Sequence, residues 1–305
     1  MEFSNKNQLS NILDHNNPEE VFNETRKIFS YYYTGESFYK VEYAYKMINS
    51  LYNGTFPGYR HCNTEYHDFN HVNHVLLAAA RIIDGLNIHE GSFDETKAVN
   101  LLIASLLHDA GYIQEDSDTE GTGAKYTTTH VHRGIEFTKK NYKMLNLSTE
   151  DVVMITPLID CTNTTSDSID KLSGEDLLCG AILATADIIG QMSDRVYLEK
   201  LLFLYYEFIE AGIDGYNTAF DILRKTHNFY KSTMDRLNGK LCAVYDIAKH
   251  HFETRYGISE NIYMTSIENQ MNYLQKIVDD TSGNFRNKLR RLDIQEKHGN
   301  EKNSG

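Results

Sequence analysis

Apolar residues recur at three- and four-residue intervals through most of the chain, the spacing of helices that bury one face. Within residues 1–60, Val21, Ile28 and Tyr32, then Phe38, Val41, Tyr45, Ile48 and Leu51 follow that spacing, and Asn53-Gly54 and Pro57-Gly58 close the segment with turn signals. A second helix is expected over residues 66–84. On its wheel His67, His71 and His74 fall within roughly 60°, while Val72, Val75, Leu76, Ala79, Ile82 and Ile83 form a stripe centred about 110° away. Residues 96–109 are apolar on every side until His108-Asp109, and a helix apolar all round is a buried one, with Gly111 read as its C-terminal stop. After a loop over residues 113–129, a helix opens at His130, and Ser148-Thr-Glu-Asp151 resembles a capping box for another, bent near Pro157. A polar linker, residues 163–174, leads to the nearly all-apolar stretch 177–190, which carries one carboxylate, Asp187. Helical spacing returns over 196–209, breaks between Gly212 and Gly215, and resumes over 217–277 with Phe220, Leu223, Phe229, Leu237, Val244, Ile247, Ile267 and Leu274 as expected core. From about Asp280 the chain is polar and is expected to fray.

Composition adds to this picture mostly by exclusion. Only 3 Pro in 305 residues favour helices over a turn-rich all-β fold. No stretch approaches the ~18 continuous apolar residues of a membrane span, and the first residues hold no apolar signal region, so a cytoplasmic protein without a membrane partner is expected. Cys62, Cys161, Cys179 and Cys242 are scattered without a Cys-x-x-Cys spacing, against a disulfide framework or zinc knuckle and in keeping with a reducing compartment. The formal charge of −13 repels nucleic-acid polymers and anionic membranes; an anionic substrate would need cations supplied locally in its pocket.

Candidate chemistry begins with histidine and aspartate. With 13 His in the chain, roughly one His-Asp pair arises by chance; there are two, His67-Asp68 and His108-Asp109, so context must decide. Three imidazoles on one stripe point to ligand or acid/base work. Asp187 sits in an apolar helix, where an unpaired charge costs several kcal/mol and so calls for a cation, hydrogen bonds or a proton. His71, His108, Asp109 and Asp187 together make a borderline-to-hard site for Zn, Fe, Mn or Mg, one or two ions with coordination left for water, suited to hydrolysis. The acidic loop Asp116-Ser-Asp118-Thr-Glu120-Gly121 mimics the start of a calcium loop but offers Thr127 where a bidentate acid is required, and is read as a solvated loop or lid. His227, His250, His251 and Arg255 are read as structural.

The order histidine, His-Asp, distant aspartate on helices resembles the HD-domain metal-dependent phosphohydrolase superfamily, over roughly residues 60–212. Tyr66-His67-x-x-x-His71-x-x-x-Val75 is similar to the signature of class I 3′,5′-cyclic nucleotide phosphodiesterases. The resemblance implies an all-α HD-domain helical bundle with additional N- and C-terminal helices. It implies His67 as general acid, His71, His108, Asp109 and Asp187 as metal ligands, a hydroxide held by the metal as nucleophile, and Asp109 as the bridge to a second ion. His130 and Gly134 resemble a His-x-x-x-Gly element in which the histidine serves that second metal. The chain departs from the phosphodiesterase pattern in having Asp68 for Asn, His74 for Asp and Tyr112 for His.

The expected organisation is therefore an N-terminal helical layer (1–60), an HD phosphohydrolase domain (61–212), a C-terminal helical extension (213–280) that covers the pocket, extends the core or forms a homodimer face, and a flexible tail (281–305). The expected substrate is a small phosphoester or nucleotide, first a cyclic nucleotide. A nucleotidase or phosphomonoesterase on the same fold is the alternative, followed by an HD-fold di-iron oxygenase and a module that kept its helices and lost turnover.

Overall fold

The structure, a computed structural model, describes residues 8–280 and 285–292. Among them the fold is all-α, and the only β pairing is an isolated bridge between Tyr59 and Glu115. The helices in order are α1 (Leu9–Ile12), α2 (Pro18–Phe29), α3 (Gly35–Tyr52), α4 (Phe69–Glu90), α5 (Glu95–Leu107), α6 (His130–Asn141), α7 (Thr149–Asp160), α8 (Gly174–Met192), α9 (Tyr197–Glu210), α10 (Ala219–Asn238), α11 (Ala248–Tyr256) and α12 (Ile262–Val278). No single one of them is long and apolar enough to cross a membrane.

The bundle is laid around α4, which packs on α2, α5, α8 and α11. Every residue of α4 from His71 to Asn87 is buried, and α5 is buried from Ala98 to Leu107, so the two most apolar stretches of the sequence become the inner rods. Their ends are set by local chemistry. Asp68 caps α4 through its Oδ1 and His71 N (2.8 Å), Asp94 caps α5 through Lys97 N (2.8 Å), and Ser148 with Asp151 forms the expected capping box of α7.

One buried charge on these rods is fully paired. Asp84 on α4 accepts from His251 Nδ1 (2.7 Å) and Arg255 Nη2 (2.7 Å), which fastens α11 to the centre of the bundle. His251 and Arg255 thus do the structural work expected of them, and burial lowers the His251 pKa even against the Asp84 charge.

Several sequence expectations are corrected. The second helix starts at Phe69, so His67 precedes it instead of riding on it. Residues 217–277 form three helices, broken at 239–247, where Cys242 and Ala243 take left-handed backbone, and again at 257–261. Phe229 is 48% exposed and Tyr32 is 42% exposed, both outside the core, because periodicity fixes a face but not whether a neighbour covers it. Gly111 is not a left-handed stop. It lies in a short 3₁₀ turn, Ala110–Tyr112, and its missing Cβ would stand 1.9 Å from His130 O, so glycine is required there for the close approach of α6. Most of the expected tail, residues 281–284 and 293–305, lies outside the described residues; within it, Phe285–Lys288 forms a 3₁₀ turn and Leu289 is buried.

Candidate metal centre

Three of the inner elements meet at one point. His71 comes from the first turns of α4, His108 closes α5, Asp109 follows it, and Asp187 projects from the last third of α8. The Nε2 atoms of His71 and His108 are 3.2 Å apart. Asp109 Oδ2 stands 3.2 Å and 3.3 Å from them, and Asp187 Oδ1 3.2 Å and 3.7 Å. His71, His108 and Asp187 satisfy by themselves the geometry of a shared ion site, one ligand atom each within 4.8 Å of the others.

Hydrogen bonds on the far side of the rings orient the donors. His108 Nδ1 donates to Ser105 O (2.8 Å), which leaves the Nε2 lone pair of the neutral ring aimed into the cluster. Asp109 Oδ2 is buried without any hydrogen-bond partner. A buried carboxylate oxygen and converging imidazole nitrogens repel unless something positive lies between them, so the donor set fits a divalent cation. Burial opposes any charge on His71, yet the carboxylates of Asp109 and Asp187, each with an oxygen 3.2 Å from its Nε2, push its pKa up to about 10. Burial likewise opposes charge on the two aspartates, but His108 and His71 hold Asp109 well below the carboxylate range, and His71 and His108 lower Asp187. A proton on His71 thus plays the part a metal would take over.

The other face of Asp109 meets a second group. Its Oδ1 lies 3.6 Å from Nε2 of His130, at the start of α6, and His130 Nδ1 donates to Thr127 O (2.7 Å), again directing Nε2 inward. Burial lowers the His130 pKa, which keeps the ring neutral and able to ligate. Asp109 therefore addresses two positions, one per oxygen, and α6 is close enough to reach it because Gly111 and Gly134 bring the backbones of α6 and the His108 turn into contact.

His67 sits beside this cluster, its ring 6.0 Å from that of His71. Nδ1 meets Glu207 Oε2 of α9 at 2.6 Å, and Nε2 faces Tyr112 Oη at 3.3 Å. The rings of His67 and His130 both stack on Tyr112, at 4.2 Å and 4.5 Å. Glu207 escaped the sequence reading, although it carried the cue that singled out Asp187: a carboxylate inside an apolar run, here Leu201 to Ile209. It also accepts from Tyr66 N (2.8 Å) and is 5% exposed.

The expected third histidine of the stripe does not join. His74 Nε2 meets His15 O at 3.1 Å and its Nδ1 faces Asp194 at 3.8 Å, partners outside the cluster. Asp68 belongs to a His-Asp pair like Asp109 but serves as a helix cap. Nor is the acidic loop a cation site: Asp118 is taken up by Lys125 Nζ (2.6 Å) and Tyr126 Oη, and Gln114 fastens the loop backbone through Glu120 O (2.9 Å).

A family model described as Npun_R2479-like matches residues 20–242 of the chain. No curated protein and no solved structure matches it. The match runs from α2 past the end of α10 and so takes in every residue of the cluster, together with His67 and Glu207.

Proposed function

The chain belongs to the Npun_R2479-like family, and from the chemistry of its buried cluster we propose a metal-dependent phosphoester hydrolase on an HD-type bundle, most specifically a 3′,5′-cyclic nucleotide phosphodiesterase. The observation that carries this reading is the convergence of His71, His108, Asp109 and Asp187 on one point, with an orphaned Asp109 oxygen, next to a histidine backed by a carboxylate. A divalent ion bound there, Zn, Fe, Mn or Mg, would supply a water activated near neutral pH and neutralise charge on a phosphoryl group.

The remaining roles belong to the chain's own side chains. His71, His108, Asp187 and Asp109 would hold one ion, and Asp109 with His130 would hold a second. Glu207 occupies Nδ1 of His67 and so confines proton exchange to Nε2, the edge turned toward Tyr112. His67 is the group that donates a proton to the leaving oxygen. Tyr112 stands between His67 and His130 as their common stacking surface, and it excludes water from the inner side of the site.

The test is a screen of ion-stripped protein reloaded with Mn, Mg or Zn against cAMP, cGMP, nucleoside monophosphates and generic phosphoesters, with Asp109→Ala as control. Hydrolysis of the cyclic nucleotides supports the specific reading. Cleavage of monophosphates alone replaces it with a nucleotidase or phosphomonoesterase. Substoichiometric metal with no turnover on any ester leaves the binding-module alternative. An oxygenase would need a further histidine ligand, and His132, the nearest spare, is exposed.

A further inference from the structure

We infer that Arg236, on α10, is an anion-binding residue of this centre and holds a non-bridging oxygen of the substrate's phosphoryl group. The inference rests on the phosphoester reading above and deepens it.

Arg236 reaches from the C-terminal extension into the body of the bundle. Its Nη2 donates to Cys161 O at 2.7 Å, at the residue that closes α7. Its Nη1 is buried and meets no acceptor. A structural role, satisfying the last carbonyl of α7, accounts for Nη2 and leaves Nη1 unexplained, and a guanidinium nitrogen taken out of water without an acceptor is costly. The parallel is Asp109 Oδ2, also buried and also without a protein partner. One is an acceptor that wants a cation, the other a donor that wants an anion.

The wheel of α8 relates the two. Seven residues turn a helix by about 700°, so Gly180 and Asp187 lie within about 20° of one another on one stripe. Gly180 is where Cys161 packs, its Sγ 2.7 Å from the position a Cβ would take. Gly180 is two turns, about 10 Å, before Asp187, and helical side chains lean toward the N-terminus, so the guanidinium anchored at Cys161 stands on the side of α8 toward which Asp187 leans. Burial lowers the Arg236 pKa, and the negative charge that opposes this is first that of Asp187, a ligand of the cluster.

Of the other cations on segments that build the centre, Arg81 of α4 also keeps buried donors without an acceptor, but it lies ten residues, about 15 Å, along the helix from His71, where it donates to Tyr263 Oη (3.0 Å) and stacks on Phe252 and Tyr263; those nearer have acceptors. Arg133 donates to Gly111 O and Ile113 O, Lys125 is paired with Asp118, and Lys200 with Asp194. In a chain of net charge −13, an anionic substrate needs a cation aimed at it locally. An arginine with one arm anchored presents the other in a fixed direction, and the guanidinium fork matches phosphate oxygens. The C-terminal extension would then supply a substrate contact as well as packing.

The test uses the full chain loaded with Mn. Mn stoichiometry and inorganic phosphate affinity are measured by titration calorimetry for wild type, Arg236→Gln and Arg236→Lys. The expected result is full Mn occupancy in all three, phosphate affinity about 10- to 100-fold weaker in Arg236→Gln, and an intermediate loss in Arg236→Lys, which keeps charge without the fork. With a hydrolysable ester, the same substitutions raise KM. Unchanged phosphate affinity in Arg236→Gln with Mn retained overturns the inference, as does a wild type that takes up Mn but no phosphate. If Arg236→Gln unfolds for want of the Cys161 contact, Arg236→Lys decides, and equal affinity there overturns the inference. A wild type that binds no Mn refutes the metal centre itself, a different failure with a different signature.

Discussion

Proton and metal compete for the same nitrogen in this cluster, and the competition can be measured. In the ion-free protein His71 is held protonated up to about 10, against an ordinary value of 6.5. Its folded value is raised, so its contribution to stability is complete below about pH 6.5 and is lost as pH climbs through about 10. A metal on Nε2 requires the unprotonated ring. Each pH unit in this range makes about tenfold more of that form available, so between pH 7 and 8.5 the apparent Kd for Mn should fall about 30-fold, a gain of about 2 kcal/mol. The His108 pKa is raised too, despite burial, by Asp109 and Asp187, and steepens the dependence in the same direction. The measurement is a chelator competition at several pH values, paired with unbuffered titration to count protons released per ion. Comparing loaded with ion-free protein at each pH cancels groups outside the site, including the half-buried thiol of Cys62, which is pushed up to about 11. A Kd independent of pH over this window, or an ion that releases no proton, would falsify the picture of a protonated His71 at the metal position.

Three shorter predictions probe other parts of the arrangement. Glu207→Gln should keep full metal occupancy but lower kcat by about 10²- to 10³-fold on whichever ester is cleaved, since it frees Nδ1 of His67; unchanged kcat removes His67 and Glu207 from the chemistry. Gly111→Ala should destabilise the fold by about 1–3 kcal/mol and loosen the second metal position before the first, because its Cβ would strike His130 O; urea unfolding with Mn titration reads both, and a neutral effect would show that α6 does not depend on that contact. Asp84→Ala leaves His251 buried without its partner, while the partly exposed Arg255 keeps its contacts with Tyr31 and Tyr32, and should cost about 3 kcal/mol in urea unfolding, with metal stoichiometry unaffected; a loss under 1 kcal/mol would mean the pairs contribute little.

Much of the site was legible because its residues violate a pattern. An aspartate in the apolar run of α8 and a His-Asp pair at the end of α5 stand out against 3.6-residue periodicity, and both enter the cluster. Glu207 violated the pattern in the same way but lay among tyrosines that blur the run, and its partner His67 is 140 residues distant. His74 went wrong for the complementary reason. A wheel places a side chain on a face, but it cannot say that His15 O, 59 residues earlier, will be there to meet it. Gly111 shows a third limit: the turn signal was genuine, yet what demanded glycine was the backbone of α6, visible only in three dimensions. The helical class survived these errors because it rests on dozens of positions at once, whereas each contact of the site rests on one pair.

His71 and His108 are 37 residues apart in sequence, and Asp187 lies a further 79 on (187 minus 108). An ion gripping all three would work as a rivet, closing two long loops of chain at a single point. Its removal should therefore be felt far from the site, as faster hydrogen exchange along α4 and α8 together, two rods whose shared end would no longer be pinned.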